Sequence, residues 1–264
     1  MLPALVAIAS SLALADAASL GFDRNIYPGD AILHTLHKTL SYTGYWLNAP
    51  PGSQTTSWKG KRSLLKTNGF GFLMLFNGRL YRDLHGNGVS AKNLGTSDGG
   101  LAADLAIKEG FPKNAIIFLD QEEGGRLLPE QLYYLLAWVD AIVDHGFRAG
   151  VYCSAIPVLE TPGTSINTAN NIREHSGNRE IHFFVYNDSC PPSPGCAFLH
   201  VPPDPELSGI SFADVWQIAQ SPRRHDFTSQ CVSTYLTQNL CLTPGTSLDI
   251  DLSTARSPDP SRGR

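Results

Sequence analysis

Ile116-Ile117-Phe118-Leu119-Asp120-Gln121-Glu122 turns from apolar to acidic within two positions. A short, continuous apolar run of this kind predicts a strand buried on both faces, as in a parallel sheet covered by helices. Side chains alternate along a strand, so Asp120 and Glu122 are expected to point the same way from its C-terminal end. In a barrel of parallel strands that end is the face where catalytic groups gather, and paired carboxylates there suit acid/base or glycosyl chemistry. The competing reading is that the pair only caps the following loop.

Strand and helix patterns alternate on both sides of this run. Leu20 to Asp23 reads as a first strand, followed by a helix capped by Asp30. Tyr42 to Leu47 is a second strand, and Ser57 is the expected cap of the helix carrying Leu64 and Leu65. Gly71 to Phe76 is a third strand. The glycine-rich stretch 77–100 is expected as a surface loop over the barrel mouth, leading into a helix from Leu101 to Glu109. After the central strand, Pro129 suits the first turn of a helix whose apolar positions recur from Leu132 to Val143. Arg148 to Cys153 is strand five, residues 166–175 a weaker helix, and Ile181 to Tyr186 strand six. Strands at Val215 to Ile218 and Leu248 to Leu252 follow with no helical period between them. The predicted fold is a single TIM-type α/β barrel with five β/α units followed by three closing strands.

The 264-residue chain, 42% hydrophobic and 17% charged, is long enough to bury a large core. A net charge of -4 and a pI near 6.0 give no electrostatic reason to expect nucleic acid as a partner. Residues 1–17, apolar from Leu2 to Leu14 and ending Ala15-Asp16-Ala17, read as a signal peptide, with no stable membrane insertion beyond it and a secreted or extracytoplasmic location. The barrel is then expected over 18–254, as a monomer, and 255–264 as a flexible tail. Of five cysteines, Cys190 with Cys196 and Cys231 with Cys241 are expected to form local disulfides, leaving Cys153 as a buried thiol. No Cys-x-x-Cys pair suggests a metal, and no cofactor is expected.

A barrel would bring Asp23, Asp120, Glu122, Asp249 and Asp251 to one rim, where carboxylates held together raise one another's pKa and keep a proton donor at neutral pH. Tyr45, Trp46, Tyr152, Tyr186 and Trp216 fall in or near strand ends, where they could stack on sugar rings or belong to the core.

Gly21-Phe22-Asp23, Thr43-Gly44-Tyr45-Trp46-Leu47, Ser57-Trp58-Lys59-Gly60-Lys61-Arg62, Leu119-Asp120-Gln121-Glu122, Gly150-Val151-Tyr152-Cys153-Ser154, Trp216-Gln217 and Leu248-Asp249-Ile250-Asp251 resemble the motif series of the DUF1906 glycoside hydrolase-like domains. That family is itself similar to the family 25 glycoside hydrolases, lysozyme-like muramidases. The resemblance implies Glu122 as proton donor, Asp120 as the group that orients an N-acetyl substituent or stabilises positive charge, and Asp23 and Asp249 as the rest of an acidic rim. Tyr45, Tyr152, Tyr186, Trp216, Gln217 and Asp251 are the expected substrate-binding residues. Asp251 stands where the muramidase pattern has Asn. The expected activity is hydrolysis of an amino-sugar polymer such as peptidoglycan. The alternatives are a noncatalytic glycan-binding protein on the same barrel, and a metal-dependent phosphodiester hydrolase using the carboxylates as ligands.

Overall fold

The computed structural model describes residues 18–86, 88–187, 201–220, 248 and 250–264. The expected signal peptide, Asp249, and all four cysteines assigned to disulfides lie outside the described residues.

In chain order the elements are β1 (Ser19–Asp23), α1 (Leu33–His37), β2 (Tyr42–Trp46), α2 (Arg62–Thr67), β3 (Gly71–Asn77), α3 (Tyr81–Leu84), α4 (Gly88–Lys108), β4 (Ile116–Asp120), α5 (Pro129–Asp144) and β5 (Arg148–Ser154). They continue with β6 (Val158–Thr161), β7 (Thr164–Ile166), α6 (Thr168–His175), β8 (Ile181–Tyr186), β9 (Val215–Ala219) and β10 (Asp251–Ala255). Eight strands close a barrel in the order β1-β10-β9-β8-β5-β4-β3-β2, while β6 and β7 form a separate hairpin. Among the described residues, five β/α units and three closing strands are present, as the sequence pattern predicts. Seven barrel strands run parallel to their neighbours, and β10 is antiparallel to both β1 and β9.

Five local expectations are corrected. The glycine-rich stretch is mostly helix rather than loop, because its small residues form a packing face: a Cβ on Gly95 would lie 2.1 Å from the Tyr134 carbonyl oxygen, and one on Gly99 2.8 Å from that of Trp138. Ala91, Ala102, Ala103 and Ala106 are buried with them, so α4 lies close against α5. Asp30 and Ser57 do not cap their helices. Asp30 pairs with Lys61 at 2.8 Å, and the Ser57 hydroxyl accepts from the Tyr27 backbone N–H at 2.9 Å.

The last strand begins three residues later than expected, at Asp251. The C-terminal segment is bound to the barrel rather than loose. Met74 N–H donates to the buried Ser261 hydroxyl and Phe72 N–H to the Asp259 carboxylate, each at 2.8 Å, and Ile116 N–H reaches the Ser261 carbonyl. These bonds satisfy backbone donors at the starts of β3 and β4, which a barrel end otherwise leaves open. Pro129 does start α5, where the Gln131 side chain accepts from the Leu128 N–H at 2.8 Å. Gly110 and Gly146, at φ 81° and 78°, follow α4 and α5 as left-handed stops. Among the described residues, no helix is long and apolar enough to cross a membrane.

Candidate functional site

The C-terminal ends of the parallel strands open into a cavity of about 220 Å³. Asp23 at the end of β1, Asp120 at the end of β4, Glu122 in the loop beyond it and Asp251 at the start of β10 all line it. The antiparallel course of β10 is what carries Asp251 there: its first residue, not its last, meets the rim, opposite Asp23 in register. Asp120 and Asp23 are buried, at 4% and 6% exposure, whereas Glu122 is exposed and Asp251 half-buried. Glu122 is thus the carboxylate presented at the mouth, with Asp120 beneath it.

Neighbouring positions are shaped around these groups. Gly44 lies beside Asp23, where a Cβ would come within 2.5 Å of the Asp23 Cβ, so the absent side chain makes room for the carboxylate. Gly150 is the register partner of Phe118 and leaves space for its ring, which packs edge-on to Phe184. Glu123, adjacent to Glu122, serves the scaffold: its carboxylate accepts from the Tyr81 N–H at 2.7 Å and from Gln131 Nε2 at 2.6 Å, tying the β4–α5 loop to α3 and α5.

Tyr152 and Gln217 also line the cavity, and the Tyr152 phenol donates to Gln217 Oε1 at 2.7 Å. Burial pushes the Asp23 carboxyl well above the usual carboxylate range, the charges of Asp251 and Glu122 push it further, and the Gln217 amide draws it back. Asp120 is likewise raised well above that range, by burial first and then by the Glu122 and Asp23 charges. Neither Asp120 oxygen has a well-formed hydrogen bond, nor does Asp23 Oδ2 or the Trp46 Nε1, although all are buried. Buried polar atoms without partners are uncommon in folded proteins, and their concentration around one cavity marks a place where a ligand's polar groups can complete them.

Several expected binding residues are elsewhere. Tyr45 points to the opposite face of β2, fully buried among Trp58, Phe72 and Phe111, with its hydroxyl donating to Glu109 at 2.5 Å. Its neighbour Trp46 lines the cavity instead. Trp216 alternates with Gln217, so it faces away and donates its Nε1–H to the Asn187 carbonyl at 2.8 Å. Tyr186, half-buried at the end of β8, does not line the cavity. Arg24, Asn25, Phe184 and Gln220 line it without having been singled out by the sequence pattern. Arg24 and Asn25 follow directly on Asp23, and that adjacency was the available signal. Among the described residues, no group of three or more His, Cys, Asp or Glu is arranged to hold a metal ion.

No family profile matches this sequence, and no curated protein matches it. Solved structures do. An uncharacterized B. stearothermophilus protein superposes with a TM-score of 0.56 at 17% identity, over 90% of this chain and 95% of that one. A Tat-secreted protein of Mycobacterium tuberculosis, in complex with L-tartrate, does so with a TM-score of 0.52 at 13% identity, over 92% and 97%. The modular autolysin LytC of Streptococcus pneumoniae gives 0.51 at 12% identity, over 90% of this chain and 46% of the autolysin. At these identities the shared property is the barrel fold.

Proposed function

We propose that this protein is an exported glycoside hydrolase that cleaves an amino-sugar polymer of the peptidoglycan type. The observation that carries the reading is the convergence of Asp23, Asp120, Glu122 and Asp251 on one cavity at the barrel rim. The barrel it shares with an autolysin supports the same reading. Glu122, exposed above buried Asp120, is the proton donor: its proton goes to the glycosidic oxygen, which leaves with the bonding electron pair. Asp23, across the cavity, faces the positive charge that develops at the sugar carbon, and Asp120 holds or returns the proton that passes through Glu122. Water adds to the sugar carbon and its proton restores the acid pair. Trp46 supplies an apolar wall and an indole N–H for a sugar ring.

The test is release of new reducing ends from purified peptidoglycan and from chitin-type oligomers by the native protein. Release from either supports the hydrolase. Binding of these glycans without release would instead support a noncatalytic glycan-binding protein on the same barrel.

A further inference from the structure

A second cavity, of about 370 Å³, lies at the same end of the barrel. It is built from the two connections that also border the first: Arg126 comes from the β4–α5 loop, and Glu160, Thr164, Ser165, Asn170 and Glu174 come from the β6–β7 hairpin and α6, which follow β5. Glu122 and Arg126 are four residues apart, so their Cα atoms are separated by at most about 14 Å. Glu123 turns its side chain into the scaffold, and Gly124, exposed beside Ser154 at the end of β5, and Gly125 have none to raise between the cavities.

The hairpin adds little to the core, since every residue of β6 is exposed, and a two-stranded hairpin is marginal by itself. It is pinned instead to the loop that presents Glu122. A register shift between Leu159 and Thr161 leaves Glu160 without a strand partner, as in a bulge that re-aims a side chain, and its carboxylate accepts from Arg126 Nε at 2.6 Å and Nη2 at 2.9 Å. Arg126 and Glu160 thus satisfy each other. What the cavity offers a ligand is the hydroxyls of Thr164 and Ser165, the Asn170 amide and the Glu174 carboxylate. Two carboxylates against one guanidinium disfavour an anion, whereas these donors and acceptors match the hydroxyls of a neutral sugar.

We propose that this second cavity is a distal subsite for the same polymer, taking a neutral, hydroxyl-rich sugar unit further along the chain from the one held at Glu122. The class of polymer rests on the hydrolase reading above; binding at the subsite does not depend on turnover. The first cavity, at about 220 Å³, is smaller than the roughly 300–1,000 Å³ of a site that encloses a drug-sized ligand, so a polymer that enters it must rest on surface beyond it. The path over Gly124 and Gly125 leads to the hairpin. Two or three hydrogen bonds of ordinary net strength there correspond to a gain of about ten- to a hundredfold in affinity.

The experiment is calorimetric binding of chitin-type dimer and hexamer to Glu122→Gln protein, in which the oligomers stay intact, and to the same protein carrying Ser165→Trp or Asn170→Ala. The hexamer is expected to bind at least about tenfold more tightly than the dimer, and both added substitutions should remove most of that ratio. Ser165→Trp fills the cavity. Asn170→Ala removes only a side chain, because the α6 cap bond uses the Asn170 backbone N–H, so it remains informative if Ser165→Trp does not fold. A hexamer no tighter than the dimer overturns the proposal, as does a gain that neither substitution reduces, which would be a statistical effect of length. A gain seen only with peptide-bearing peptidoglycan fragments would overturn the sugar assignment in favour of the peptide branch. Reducing-end release by the native protein is measured alongside. Release without the length gain rejects the subsite and leaves the hydrolase standing; the length gain without release does the reverse, and no binding of either oligomer rejects the subsite outright.

Discussion

Asp23 and Asp251 face each other across the antiparallel pair formed by β1 and β10. Both line the cavity, and the charge on Asp251 is the largest contribution after burial to the raised Asp23 pKa. Asp251→Asn is therefore expected to lower the Asp23 midpoint. If turnover requires Asp23 ionised, the acid limb of the rate profile moves to lower pH by the same amount. Rate profiles of the two proteins across pH 3 to about 7 check this, and an acid limb that stays in place or moves up would contradict it.

Asp120 gives a stability prediction with a definite sign. Its raised pKa means that the folded protein holds a proton that the unfolded chain releases near the ordinary value of about 3.9. The stability associated with that proton is complete below about 3.9 and is lost as pH rises through the folded value. Asp120→Asn removes the dependence, so the variant should gain in Tm over the native protein as pH rises from about 4 to 7. Thermal unfolding at several pH values decides; a constant difference between the two proteins would mean that Asp120 is not a buried acid.

The α4–α5 contact makes two glycines in one helix behave oppositely. Gly95→Ala puts a methyl against the Tyr134 carbonyl and is expected to cost about 1–3 kcal/mol. At Gly100 the nearest atom to an added Cβ is 3.6 Å away on His145, so Gly100→Ala should stabilise by about 0.5–1 kcal/mol through helix propensity. Denaturant unfolding of both variants is the check. Equal effects would show that backbone entropy alone governs this helix.

Ser261→Ala removes the acceptor of the Met74 N–H at a site with no exposure. A buried donor left without a partner costs about 1–3 kcal/mol. Deleting residues 256–264 should cost more, since Phe72 and Ile116 lose their acceptors as well. A truncated protein with the native Tm would show that these bonds add nothing to the fold.

The barrel was legible because its strands are short apolar runs separated by recognisable helix and turn signals, with Ile116 to Asp120 the clearest. Two kinds of feature were not. Long-range packing turned the glycine-rich stretch into helix α4, where Gly95 and Gly99 read locally as loop residues but serve close approach to α5. The β6–β7 hairpin was missed for a related reason: Val158-Leu159-Glu160-Thr161 is too short and too exposed to carry a strand period. In the site, strand alternation decided what residue type could not. Trp46 and Gln217 face the cavity, while Tyr45 and Trp216, one position earlier in each strand, face the outer layer. Asp251 reached the rim because β10 runs antiparallel, a direction that an Asp-x-Asp pattern alone does not encode.

The central claim is that Glu122, presented at the cavity mouth above buried Asp120, donates the proton that breaks a glycosidic bond. Reducing-end release from peptidoglycan by native protein and by Glu122→Gln, with glycan binding measured on both, tests it most directly. The expected result is a loss of about 10²- to 10⁴-fold in rate with binding nearly unchanged. Release by the native protein at a rate that Glu122→Gln matches would contradict it.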